Sequence, residues 1–458
     1  MSGVQGTSGA WRTTWLLLTF MVVNFADKAV LGLAGPEIRA DFGITRQEFG
    51  TAQSAFFALF SVAAIGVSAL TRKVRTTPLL LVLALMWSAA QLPMLWGAAG
   101  FGTLLATRVL LGAAEGPAAP VAMHHVHGWF PQRERALPTA ILLVGAAAGV
   151  AVASPVLTWV ISHWGWRWSF GVVGLIGLVW AGAWRAWGSE GPLAPPVGKE
   201  TEAEGGAGAA GAASSLGGSF ELSVAADTVP LRRILLSGSF VTAAFGAFAA
   251  YWLMSTLLTW TPDYLESVVG WDLHQAGTLV GVGALANGAV LLVHGLLAQR
   301  SARRGDPPRL PVGAGAGLLM TVAGCAVATF GTTDSMWIKV PLMMGPMALA
   351  MVMLTVASTA CAQIAPPSRR GLVLGVLTFV YALGGILSPL VLGGMVDRAA
   401  TVSAGYQQGW LLTSGLLLTA GVLAALFCRP EQAARRLGAP ATTGTATPVS
   451  PLAPAPPR

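Results

Sequence analysis

The chain has 458 residues, of which 54% are hydrophobic and only 10% charged, with a mean hydropathy of +0.66 and a formal net charge of +8. A soluble globular protein carries about 25% charged residues, so this composition excludes a set of dissolved domains, whose surfaces would need far more polar side chains than are present. The solvent this chain is built for is the bilayer.

A spanning helix needs about 20 mostly apolar residues. Runs of that kind, separated by Gly, Pro or charge, predict twelve spans: 13–36, 45–70, 77–98, 102–124, 135–162, 166–187, 234–262, 271–299, 310–331, 335–363, 370–396 and 406–428. The first is not a cleaved signal, because it has no small-residue cleavage site and continues through Asn24, Asp27 and Lys28 into Pro36. Loops on one side of this layout hold 20 of the 27 Lys and Arg, the other side holds five (Arg39, Arg46, Arg167, Lys339 and Arg398), and two lie within spans. The positive-inside rule therefore puts both termini in the cytoplasm of a multi-pass cell-membrane protein. It also accounts for the basic balance without nucleic acid as a partner.

Residues 188–233 contain no run of spanning length and include GGAGAAGAASSLGGS, the composition of a flexible linker. The expected plan is an all-α membrane protein: a six-helix bundle over 1–187, a cytoplasmic linker over 188–233, a second six-helix bundle over 234–429, and a Pro-rich disordered tail over 430–458. Two six-helix halves around a site near the midplane is the plan of many secondary carriers. Cys325, Cys361 and Cys428 are an odd number without CxxC spacing, each in or beside an apolar run, and predict packing residues with neither a disulfide framework nor a zinc site.

Ionisable groups inside a span are costly and usually face a bundle interior or an aqueous cavity, so each is a functional candidate. Four stand out: Asp27 and Lys28 in the first span, Arg108 and Glu115 in the fourth. At 1.5 Å per residue, Asp27, Lys28 and Arg108 lie at similar depth, roughly 12–14 Å from the far end, and Glu115 about 10 Å deeper on nearly the same face as Arg108. A basic group facing a cavity attracts anions, and a carboxylate in low dielectric can hold a proton at physiological pH. Together these are the parts of a proton-coupled anion carrier, with the proton as coupling ion and no cofactor or metal. The same four charges could instead form ion pairs that only lock two helices together, a costly join where small residues would suffice.

Asn24, Gln53, Asn287, Thr355, Ser358 and Thr359 are uncharged polar candidates, each also suited to an interhelical hydrogen bond. His124, His125 and His127 form an HHxH run at a helix C-terminus, where the dipole favours histidine, with no carboxylate or Cys at metal-ligand spacing. Gly281-Val-Gly283-Ala-Leu-Ala286 fits a loose dinucleotide pattern but lies within an apolar run with no strand before it, which points to close helix packing. No Ser, His and Asp grouping or phosphate loop sits where substrate and water could meet, so no enzyme is expected.

Three segments carry a family resemblance. The fourth span reads RVLLGAAEGPAAP and continues to GWFPQRERA, the opening of the sixth is GWRWSF, and the first reads NFADKAVLGLAGPEI. These resemble the major facilitator superfamily, and within it the anion:cation symporter branch that includes galactonate, glucarate, hexuronate, tartrate and phthalate permeases and the vesicular glutamate carriers. YWLMSTLLTWTPDYL (251–265) resembles the branch's Trp-x-Pro-x-Tyr-Leu ending, and GGILSPLVLGGMVD (384–397) its Gly-Ile-x-x-Pro segment. The resemblance implies protonation at Asp27 and Glu115 and anion contact at Lys28 and Arg108, with Asn24, Gln53, Tyr251 and Thr378 as further substrate-binding residues.

Departures from the family pattern bear on the substrate. Lys28 stands where the family usually has Arg and lacks its bidentate fork. Phe60 stands for an expected Tyr, and Thr378 and Ala382 for expected Asn residues, which removes donors suited to a sugar acid and favours a less hydroxylated or aromatic carboxylate. GVSALTRKVRTT (66–77) lacks the Asp of the superfamily's gating motif, with Thr71 in its place. The expected function is proton-coupled uptake of a small organic anion by alternating access, a single chain sufficing. The rival within transport is efflux of apolar or cationic compounds, for which the fifth span lacks the Gly-Pro antiporter pair. A receptor-like or enzymatic relic would need an extramembrane domain that neither linker nor tail supplies.

Overall fold

The computed structural model describes residues 3–70, 74–131, 134–194, 230–304, 312–366 and 369–436. Thr71, and with it the reading of the gating loop, lies outside the described residues, as do 195–229 of the linker and 437–458 of the tail. Within the described residues every regular element is helical. A bilayer interior offers no water to satisfy backbone groups, so an apolar run there closes its hydrogen bonds within the segment.

The helices are α1 (Gly3–Leu33), α2 (Gly35–Phe42), α3 (Arg46–Leu70), α4 (Thr76–Gln91), α5 (Phe101–Glu115), α6 (Ala118–His127), α7 (Ala136–Trp164), α8 (Trp166–Trp187), α9 (Leu231–Leu235), α10 (Gly238–Tyr264), α11 (Leu273–Arg304), α12 (Val312–Thr332), α13 (Met336–Met344), α14 (Val352–Ile364), α15 (Arg370–Arg398), α16 (Val402–Phe427) and α17 (Pro430–Arg436). Among the described residues, ten helical segments are long and apolar enough to cross a membrane. Two more predicted spans, α3 and the pair α5 and α6, lie packed among them.

Two spans predicted as continuous are broken. The fourth stops at Glu115 and restarts at Ala118, with Gly116-Pro117 between. The tenth stops at Met344 and passes through Gly345-Pro346 and a 3₁₀ stretch before α14. Proline has no N–H to give and its ring clashes with the preceding turn, so each Gly-Pro pair interrupts the helix at its own position. Leu231–Leu235 is helical, and so is Pro430–Arg436, which packs on α14. Gly165, at φ +83°, turns the chain between α7 and α8 in a backbone region that side chains rarely adopt.

The first six spans meet the second six along α3 with α15, α7 with α11 and α1 with α10. The meeting is closed at the end away from the basic loops. There the Asp263 carboxylate at the end of α10 receives Arg39 and also Arg46, the latter at 2.8 Å, and Tyr406 donates its phenol to the same group. Asp397 at the end of α15 accepts the backbone N–H groups of Arg46 and Gln47 at 3.2 and 2.7 Å, capping α3 from the opposite half. Gly50 lies on the Pro389 carbonyl and Gly393 on that of Arg46, so backbones of α3 and α15 touch. Toward the basic end this contact stops: a β-carbon on Gly295 of α11 or Gly375 of α15 would meet nothing within 4 Å. Among the described residues, the space between the halves therefore opens toward the basic loops.

Gly281 sits against the Ala151 carbonyl of α7, as its small-residue reading requires. Cys361 and Cys428 are buried and Cys325 is exposed, all three free.

Candidate functional site

All four ionisable candidates meet inside the first six spans. Lys28 of α1 places its ammonium 2.5 Å from Glu115 Oε2 and donates to the Asn24 side chain at 2.8 Å and the Asn24 carbonyl at 3.2 Å. Asp27, next in the chain, turns to the other side, where the Gln91 side-chain amide donates to it; the Gln91 carbonyl oxygen in turn accepts from Arg108 at 2.8 Å. Two chains of contacts result, Asn24 to Lys28 to Glu115 and Asp27 to Gln91 to Arg108.

The two chains start from adjacent residues of α1, Asp27 and Lys28, and belong to one cluster. Asp27, Arg108 and Glu115 are each at most 2% exposed. Asp27 Oδ2, Glu115 Oε1 and the Asn24 amide nitrogen have no hydrogen-bond partner. A buried carboxylate oxygen without a donor is expensive, and neighbouring carboxylates repel each other.

Sequence spacing predicts Lys28 and Arg108 side by side at one depth, both facing a cavity. The structure separates them. The long lysine stem carries its charge to Glu115, while Arg108 is enclosed, its guanidinium 5.1 Å from the centre of the Phe170 ring and its Nε unpartnered. Lys28 is the less enclosed of the two cations, with its ammonium 4.4 Å from the Phe25 ring centre and 5.8 Å from that of Phe60.

Local sequence explains how Glu115 comes to lie there. It is the last residue of α5, where the unsatisfied carbonyls of the helix end disfavour a negative charge. The Gly112 and Gly116 positions lie directly against the carbonyls of Phe56 and Phe60, so a β-carbon at either would overlap α3 backbone. This close approach brings Phe60 beside the Lys28 and Glu115 pair. Gly116→Leu is therefore expected to cost several kcal/mol by overpacking and to lower the thermal midpoint of the purified protein; an unchanged midpoint would show that the two helices can separate freely.

The uncharged candidates divide. Asn24 is part of the cluster. Gln53 is buried on α3, one turn before Phe57, and no described hydrogen bond joins it to the four charges. Tyr251 of α10 packs on Phe57 with ring centres 5.7 Å apart and on Tyr381 of α15 at 5.0 Å, and Thr378 lies one turn before Tyr381 on α15. Thr355, Ser358 and Thr359 turn their hydroxyls back to carbonyls of their own helix. Asn287 leaves its side-chain oxygen without a partner.

His125 meets a carboxylate that lies far along the chain: Glu190, 3.7 Å away, with the Thr76 hydroxyl 2.7 Å from the same ring nitrogen. No group of three metal-ligating side chains occurs among the described residues. Gln91 and Tyr381 are absent from the sequence-derived site. A signal for the site's depth was present in the paired Gly-Pro interruptions of the fourth and tenth spans, since breaks at corresponding places in two repeats mark the binding level of carriers.

Residues 16–389 match the Major Facilitator Superfamily profile. The chain is 28% identical over 393 residues to a D-galactonate transporter of Escherichia coli O6:H1, covering 84% of this chain and 88% of the relative. It is 26% identical over 441 residues to a hexuronate transporter of Bacillus subtilis, covering 94% and 96%, and 28% identical over 413 residues to a probable sulfoacetate transporter of Cupriavidus necator, covering 89% and 91%. Among solved structures, a bacterial homolog of the human lysosomal transporter Spinster, in an inward-facing unoccupied conformation, superimposes with a TM-score of 0.72 at 19% identity, over 92% of this chain and 97% of that one.

Proposed function

Because this chain belongs to the Major Facilitator Superfamily, we propose that it is a secondary carrier taking up a small organic anion together with a proton, by alternating access between bundles 1–187 and 234–429. The observation that carries this reading is the Lys28–Glu115 pair, with Asp27 buried in the same cluster. With all four groups ionised the cluster is neutral. One proton on the acid pair leaves it at +1, the charge that a carboxylate cargo offsets.

In the protonated state Glu115 no longer holds Lys28, and the ammonium is free to receive the anion. Arg108 acts from behind, through Gln91, by keeping Asp27 in place. Release of cargo and proton on the other side lets Glu115 take Lys28 back, and the neutral empty carrier returns. The names of the relatives support the class of cargo, since D-galactonate, hexuronate and sulfoacetate are acids. With the basic loops in the cytoplasm of the cell membrane, the gap drawn above faces inward, and one chain contains every group the cycle uses.

The test is internal pH in proteoliposomes challenged in turn with sugar acids, dicarboxylates and aromatic carboxylates. The expected result is acidification that depends on one class of acid, is lost in Lys28→Ala and is partly kept in Lys28→Arg. Silence for every acid, with pH movement on adding lipophilic cations, would replace uptake by efflux.

A further inference from the structure

Charge is divided unequally between the halves. All four buried cluster charges belong to the first six spans, whereas stretches 238–262, 275–293, 313–332, 340–364, 371–396 and 402–427 of the second six contain no Asp, Glu, Lys or Arg. A cargo held between the halves meets one available cation, Lys28, on one side and none on the other. A second carboxylate would enter a low-dielectric space without a counter-ion.

What the second half offers is rings. From Lys28 a continuous aromatic strip runs from the first half to the second where they touch, its inner members Phe57 and Tyr251 buried and its ends Phe60 and Tyr381 half-buried: Phe60 packs on Phe57 at 6.2 Å between ring centres, Phe57 on Tyr251 at 5.7 Å, and Tyr251 on Tyr381 at 5.0 Å. The strip lies where contact between the halves ends. Gly385 touches Phe57 and Tyr251, while Gly375, about 15 Å further along the same helix toward the basic end, meets nothing within 4 Å. Each hydroxyl of a polyhydroxylated acid loses water on entering and needs a partner. The strip supplies two phenols, those of Tyr251 and Tyr381.

Resting on the uptake reading above, we propose that the cargo is an aromatic monocarboxylate, its single carboxylate on Lys28 and its ring against Phe60 and Tyr381, the half-buried ends of the strip. The ring gains offset or edge contacts of the kind the strip already makes within itself, and its lack of hydroxyls leaves no donor unpaired.

Binding to the purified full-length chain at mildly acidic pH, measured by titration calorimetry with phenylacetate, benzoate, phthalate, D-galactonate and D-glucarate, tests this. Phenylacetate or benzoate should bind at least tenfold more tightly than the other three, and Phe60→Leu, which keeps bulk but removes the ring, should reduce that preference below threefold. Equal or tighter binding of D-galactonate, D-glucarate or phthalate overturns the aromatic assignment and leaves anion uptake standing. Binding of none of the five removes both. An aromatic preference that survives Phe60→Leu takes the recognition away from the strip.

Discussion

With Glu115 replaced by Gln, proton-driven accumulation is expected to disappear while exchange of labelled for unlabelled cargo continues. One proton moved with one anionic charge ties the cargo ratio across the membrane to the pH difference. Each pH unit is worth 1.36 kcal/mol per proton, or about a tenfold ratio. The amide keeps the shape of the side chain, and its oxygen can still accept from Lys28, now at 2.5 Å from the carboxylate. It has no proton to gain or lose, so the ratio should fall to one. The measurement is internal over external label at an imposed difference of one pH unit; a ratio that stays near ten would move the coupling proton to Asp27 or elsewhere.

The second large effect is expected at the far end of the molecule. Asp263 is 3% exposed and pairs with both Arg39 and Arg46. Asp263→Asn leaves two guanidiniums facing each other across a half-buried gap, and removing one partner from a buried pair costs about 3–5 kcal/mol. Since about 1.4 kcal/mol is a factor of ten in population, the equilibrium should swing toward a form open at that end. Ser54 reports on this, because it is buried where α3 meets α15 and donates to the Ile386 carbonyl at 2.5 Å. In a protein with Cys325, Cys361 and Cys428 replaced, Ser54→Cys should react with a membrane-impermeant maleimide at least tenfold faster once Asp263→Asn is added. An unchanged rate would show that helix packing and the Asp397 cap hold the closure alone.

Most of the architecture was legible because the bilayer leaves apolar runs one option, a helix, and the runs are long. Their ends were less so: α1 begins ten residues before the apolar run, and α10 continues past Pro262 to Tyr264, since a helix with packed neighbours does not stop where hydropathy falls. The breaks at Gly116-Pro117 and Gly345-Pro346 were visible as residues, but hydropathy averaging smooths over two positions.

In the site, Asp27, Lys28, Arg108 and Glu115 announced themselves by being ionisable in apolar surroundings. Their pairing did not, because depth along a helix fixes where a β-carbon lies and leaves open where a four-carbon stem delivers its charge. Gln91 escaped notice for being neutral. Asp263 escaped because its partners Arg39 and Arg46 precede it by more than 200 residues, a separation that no local pattern spans.

The four-charge cluster of the first six spans has one more consequence. A membrane voltage does work of about 2.3 kcal/mol per 100 mV on each unit charge that crosses it. The empty cluster sums to zero, and so does the cluster with one proton and one monoanion aboard. Both legs of the proposed cycle are then electrically silent, and the resting potential of the cell neither drives nor opposes them. A cluster carrying the proton alone is the only stage at +1, and burying that uncompensated charge is what keeps the carrier from leaking protons.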